Sequence, residues 1–150
     1  MSVKPAARQY PIACHACRRG SVAPVSEDRT LNVRYDGALH SIRVPELPVR
    51  RCADCGAATF GIDTEDAIHR ALRCHLNLLQ PEEIRANRKA LNLTQEQLAE
   101  AIGCAAESLS RWENGAIIQS RSYDRLMRAY FHLPALRAFF EQLRARTAMR

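Results

Sequence analysis

The residues whose spacing most directly suggests chemistry are cysteines. Cys14-His15-Ala16-Cys17 and Cys52-Ala53-Asp54-Cys55 repeat one grammar, a cysteine pair split by two residues. That interval lets both thiolates of a pair turn toward one ion, and two pairs supply the tetrahedral set that zinc takes. The pattern nominates Cys14, Cys17, Cys52 and Cys55 as ligands of a single structural zinc ion. Four thiolates leave no open position for water, so such an ion holds a fold together and does not attack a substrate. Arg18-Arg19 and Arg50-Arg51 flank the pairs and would offset part of the negative charge. A Cys-x-x-Cys pair is also open to redox chemistry or plain burial; a second pair with a hairpin between the two favours metal. His15 and His40 read as substitute ligands or as surface and packing residues. Cys74 and Cys104 fall on helical ground, where small buried hydrophobes are the default. No Glu stands beside a His in a zinc-hydrolase pattern and no nucleophile constellation is present, so no enzyme is expected.

The elements that would hold the cysteines follow from the gap between the pairs, which is 34 residues long and so too long for a bare loop. Thr30 to Tyr35 and Ala38 to Val44 flank Asp36-Gly37, a two-residue hairpin turn. Pairing across it sets Tyr35 with Ala38, Val33 with His40 and Leu31 with Ile42 on one face. Leu47 to Arg51 reads as a third extended piece, with Pro45 and Pro48 favouring an edge. Residues 1–62 therefore form a β zinc ribbon, with Met1 to Tyr10 as a loose tail. Residues 63–80 read as a helical linker, capped by Asp63 or Thr64 and carrying Ile68, Leu72, Leu76 and Leu79 on one face.

Residues 81–150 read as an all-α unit of five helices, and the chain as α+β. Pro81 opens the first helix, ahead of Glu82 and Glu83. Thr94 and Gln97 have the spacing of a capping box, and Gly103 suits a left-handed stop after Leu98, Ala99 and Ile102. A second short helix follows, with Leu109 and Trp112 inward and Glu107 and Arg111 outward, ending at Asn114-Gly115. Two short helices hinged at a glycine form a helix-turn-helix, whose second helix can enter the major groove of DNA. Ser120 caps the next helix, and Pro134 starts the last, whose stripe of Phe139, Phe140 and Leu143 suits self-association or closure of the core.

Composition narrows the class without deciding it. The chain is 47% hydrophobic and carries a net charge of +6, split as 11 basic and 8 acidic residues on each side of the Leu79–Gln80 bond. That balance suits a nucleic-acid partner, yet no basic block stands out. There is no apolar run of membrane-spanning length and no apolar stretch of a signal peptide near the N-terminus, so a cytoplasmic protein with no membrane partner is expected. Six cysteines in a reducing compartment point away from disulfides.

The stretches Leu93-Thr94-Gln95-Glu96-Gln97-Leu98-Ala99 and Leu109-Ser110-Arg111-Trp112-Glu113-Asn114-Gly115 resemble the Cro/repressor (XRE) helix-turn-helix family. Joined in this order to the Cys14-x-x-Cys17 and Cys52-x-x-Cys55-Gly56 ribbon, they resemble the MqsA-type antitoxins, whose ribbon is also called the YgiT-type zinc finger. The resemblance covers about residues 12 to 146. It implies a type II antitoxin that neutralises a small RNA-cleaving toxin through the ribbon. It also implies a homodimer through the C-terminal half, which represses its own operon at a palindromic double-stranded operator and is nucleoid-associated when bound. By the same resemblance Gln95 touches a phosphate, and Ala106, Glu107, Ser110 and Arg111 face the bases. Glu113 and Asn114 read as fixing the helix end, with Asn114 near where a phosphate would run, and Arg121 and Arg125 read as phosphate contacts or as a solvated face. The family reads DNA with an Asn and, four residues on, an Arg; here Glu107 stands in place of the Asn. Glu107 suits cytosine N4 rather than adenine, and its i, i+4 spacing puts it in reach of Arg111. Ala105 stands where the family has a polar cap. A free-standing regulator with a structural ribbon, or a zinc- or redox-responsive sensor, are the competing readings.

Overall fold

The computed structural model describes residues 9–148. The tail expected over Met1 to Tyr10 lies almost wholly outside them. The order is β1 (Ile12–Ala13), β2 (Ser21–Tyr35), β3 (Ala38–Cys52), β4 (Ala58–Thr59), α1 (Ile62–His75), α2 (Pro81–Ala90), α3 (Gln95–Ile102), α4 (Ala106–Glu113), α5 (Arg121–His132) and α6 (Pro134–Ala148). The chain divides into two compact units, Met1–Asn32 with Ser41–Ile68, and Val33–His40 with His69–Arg150. The architecture is α+β, with a ribbon followed by helices.

The sheet has strand order β1-β2-β3-β4, with β1 antiparallel to β2 and β4 antiparallel to β3. Its long hairpin turns at Asp36 (φ 50°) and Gly37 (φ 83°). Positive φ at both central residues is the type I′ geometry that matches strand twist. The hairpin is longer than expected, with 15 residues in each of β2 and β3. Leu47 to Arg51 is not a third strand but the continuation of β3. The reason lies at Glu46, whose φ of 48° inserts one extra residue. Before it the buried positions of β3 are Ile42 and Val44; after it they are Leu47 and Val49, so the alternation slips by one. The Glu46 amide donates to Asp28 Oδ1 at 3.0 Å, and the neighbouring prolines find the bulge that a regular ladder would deny them.

Helix α1 begins at Gly61 rather than at a side-chain cap. The Thr64 and Glu65 amides bond the Gly61 carbonyl, while the buried Thr64 hydroxyl accepts from the Gly61 amide and donates to the Pro48 carbonyl at 2.6 Å. Asp63 instead receives Arg50 at 3.0 Å. The helix stops at His75, five residues before Gln80, because Asn77 adopts φ 52° and closes a Schellman turn: the Leu78 amide bonds the Arg73 carbonyl and the Asn77 amide bonds that of Cys74. Leu78 and Leu79 are then buried, with Leu79 joining the helical core.

That core gathers Ile84, Leu98, Ala99, Ile102, Leu109, Trp112, Met127, Tyr130 and Phe131 around Leu79. Its helices end on the same device twice more, at Asn92 (φ 54°) and Gly103 (φ 74°), each followed by the six-to-one bond of a Schellman turn. Tyr35, at the hairpin tip grouped with the helices, donates its hydroxyl to the Gln119 carbonyl at 2.9 Å. The apolar stripe of α6 splits. Phe140 stacks on Tyr130 at 6.2 Å, while Phe139 is 52% and Leu143 42% exposed.

Candidate metal centre and nucleic-acid interface

The two cysteine knuckles are built alike. In the first, the Arg18 amide bonds the Cys14 carbonyl at 2.9 Å, and in the second the Gly56 amide bonds that of Cys52 at 3.1 Å. The residue after each second cysteine takes a left-handed conformation, Arg18 at φ 59° and Gly56 at φ 71°. The Gly20 amide donates to the Cys17 sulfur at 3.2 Å. Gly20 must lack a side chain, because a Cβ there would collide with Cys52 Sγ.

These knuckles bring all four sulfurs within 4.8 Å of one another. The Cys14–Cys55 separation is 3.7 Å and the Cys17–Cys52 separation 3.8 Å. Four sulfurs at about 2.3 Å from a central ion stand about 3.8 Å apart in a tetrahedron, so the donor set and its size fit zinc. The protein's own fields do not charge the set evenly. The Cys17 amide, working against burial, draws the Cys14 thiol down to about 7. The Ala57 amide pulls Cys55 down, but burial and its bonds to Cys52, Cys14 and Cys17 outweigh it and push that thiol up to about 11. Four thiolates so close need a cation between them to ionise together. His15 and His40 are not in this cluster. Cys104 is half-buried with its thiol pushed up by burial, whereas Cys74 is exposed and its sulfur receives the Gln80 amide at 3.4 Å.

The helix-turn-helix is α3 and α4. Thr94 and Gln97 form the reciprocal capping box: the Gln97 amide donates to Thr94 Oγ1 at 3.2 Å and the Thr94 amide to Gln97 Oε1 at 2.8 Å. Helix α4 starts at Ala105 with no side-chain cap. Leu109 and Trp112 are buried, and Trp112 lies 5.0 Å from Tyr123. Glu107 and Arg111 are exposed on the opposite side, while Ala106 and Ser110 are half-buried. Among the described residues no ion pair holds Arg111, so the i, i+4 contact open to Glu107 does not form. Asn114 is exposed and its Oδ1 accepts from the Ala116 amide at 3.0 Å. The half-buried Arg121 uses its backbone amide on Asp36 at 3.4 Å. Gln95 donates Nε2 to Glu113 Oε2 at 2.9 Å, which leaves its second N–H available.

The sequence profile of the family described as "Antitoxin component of bacterial toxin-antitoxin system, MqsA" matches residues 12–138, across both the ribbon and the helix-turn-helix. The chain belongs to the MqsA antitoxin family. No curated protein matches it. The MqsA description points to a regulator with a toxin partner rather than to a catalyst. No helix of the described residues is long and apolar enough to cross a membrane.

In this MqsA-family chain Glu113 fixes the end of α4, through partners on α2 and α3. Glu113, at the end of α4, is buried, and Arg88 of α2 grips it with Nε at 2.6 Å and Nη2 at 2.8 Å. Arg85 donates to its carbonyl at 2.8 Å. Burial alone would push the Glu113 carboxyl up; Arg88 and then Gln95 outweigh it and hold the carboxyl below its ordinary value. A second buried knot joins Asp124, which accepts the Leu79 amide at 2.7 Å, the Gln119 side chain at 3.1 Å and Arg128 at 2.8 Å. The only sequence signal for either knot is an acid at a helical position with apolar neighbours.

Proposed function

We propose that this chain is a type II antitoxin. Its zinc-loaded ribbon, residues 1–62, binds and neutralises a small RNA-cleaving toxin. Its helical half, residues 81–150, dimerises and represses the chain's own operon, and residues 63–80 join the two. The observation that carries the reading is the single family match running through both modules, since either module alone is common to many regulators.

The chemistry on each half supports its share of the task. Zinc in the four-cysteine site closes a fold whose own core is small. On the other half, Arg111 offers an unpaired guanidinium fork at the exposed face of α4, suited to guanine O6 and N7. Glu107 beside it accepts from cytosine N4, so the operator differs from one read by an Asn at that place. Ala106 and Ser110 complete the base-facing set. Gln95, Asn114 and Arg121 serve phosphates, which fix register without reading sequence. The uncapped amides of α4 are then satisfied at the backbone of the duplex. The exposed Phe139 of α6 supports a homodimer through the C-terminal half. Two-fold symmetry calls for a palindrome with half-sites about 34 Å apart, centre to centre. The protein works in the cytoplasm, on the nucleoid when DNA-bound.

The test is co-expression with the small protein encoded beside this chain. Expression of that protein alone should stop growth, and this chain should restore growth and co-purify with it. A harmless neighbour that does not co-purify would leave a free-standing regulator instead.

A further inference from the structure

Beside the cysteine cluster the ribbon unit carries an apolar feature whose outer side chains the fold leaves exposed. A groove of about 870 Å³ runs beside the cysteine cluster. Val22 forms part of its floor, Tyr10 and Ile12 line it, and Phe60 and Ile62 stand at its lip. Phe60 is 59% and Ile62 74% exposed. The backbone between them is locked in that pose. A Cβ at Gly61 would collide with the Arg50 guanidinium, and the Thr64 hydroxyl pins the Gly61 amide to the Pro48 carbonyl. Two large apolar side chains held side by side at a groove by a rigid backbone carry a solvation cost that an apolar occupant would relieve.

Charge selects the kind of occupant. Among the described lining residues Arg50 alone has a fixed charge, and it is spoken for by Asp63 at 3.0 Å and by the Tyr10 hydroxyl. The groove therefore offers a polyanion nothing, in contrast to the unpaired Arg111 of α4. It suits uncharged, apolar side chains presented by a protein. We propose that this groove is the toxin-docking surface of the ribbon, with Phe60 and Ile62 as its anchors and an apolar segment of the toxin as its occupant. The proposal rests on the antitoxin reading above and adds the place and the chemistry of the contact.

The experiment uses the full chain loaded with zinc and the neighbouring toxin candidate as probe, with affinity measured by calorimetry. Wild type binding the probe establishes the antitoxin reading independently of the groove. Phe60→Asp and Ile62→Asp should then each weaken binding about 30-fold, the loss expected of an interface hot spot. Leu39→Asp, at an equally exposed position outside the groove, should leave it within about threefold. Zinc content and operator binding, measured on the same samples, report that the variants are folded. Folded Phe60→Asp and Ile62→Asp chains that bind like wild type overturn the groove while leaving the antitoxin reading standing. Equal loss in Leu39→Asp, or a wild type that ignores the probe, also overturns it.

Discussion

The two units stiffen a short piece of chain by different means. In the ribbon, the buried cluster around the knuckles is Cys14, Val22 and Cys52, with Ile12, Cys17 and Ala57 packed beside it. Three of those six are proposed metal ligands, so at the knuckles the sulfurs are both core and clasp, while Ile42, Val44, Leu47 and Val49 are buried farther along β3. In the helical unit, ten buried residues from five segments form the core, and Glu113 is tied to Arg88 across it. A small ribbon gains its order from an ion whose binding is part of its folding, while a helical unit of ordinary size gains it from buried area. The consequence is a division of sensitivity: the ribbon answers to metal and the helical unit to packing.

The comparison breaks first, and hardest, at the cysteines. Cys52→Ser should abolish stoichiometric zinc and unfold the ribbon, since structural zinc binding in small domains is worth on the order of 10 kcal/mol. Metal analysis and near-ultraviolet dichroism would show it, and full zinc occupancy in Cys52→Ser would refute the four-cysteine site. Next comes Glu113→Ala, which leaves Arg88 buried without its partner and should cost the helical unit about 3–5 kcal/mol in denaturant unfolding. The same pair sets a pH dependence. The Glu113 carboxyl is depressed on folding, so its contribution is fully present above the ordinary carboxylate value of about 4.3 and fades as pH falls through the lower folded value. Wild-type unfolding midpoints should drop with acid over that window, and a Glu113→Gln chain should drop less.

Arg111→Ala separates reading from folding. It should cost about 1–3 kcal/mol in specific operator binding and leave the melting temperature within a degree or two, because Arg111 is exposed and has no ion-pair partner among the described residues. An unchanged footprint and affinity would remove it from the reading face. The smallest effect is expected at Thr94→Ala, about 1 kcal/mol of helical-unit stability from loss of the capping bond to Gln97.

What could be read from the sequence was what short range decides. The Asp36-Gly37 turn, the Thr94–Gln97 box and the Gly103 stop each lie within a few residues, and their chemistry has one local solution. The cysteine grammar was legible for the same reason, and the knuckles bring the two pairs together. Features that need a partner far along the chain were not. Glu113 and Arg88 are 25 residues apart. Arg88 shares the face of Ile84 and Leu91, and Glu113 stands at the end of α4, but neither position names the other as its partner. Glu46 at positive φ defies its own preference, so the bulge that merges two expected strands into β3 left no trace in composition. Asn77 tolerates the left-handed conformation, and that tolerance ended α1 where apolar spacing alone ran on to Gln80. The side-chain bond between Gln95 and Glu113 is hidden by separation as well, since the two lie 18 residues apart on different helices.

Amide hydrogen exchange on the chain before and after zinc removal by a chelator tests the division most directly. The account predicts that the amides of Cys14 and Cys52 lose their protection on chelation, while those of Leu98 and Leu109 keep theirs. Protection lost together in both sets, or kept in both, would contradict it.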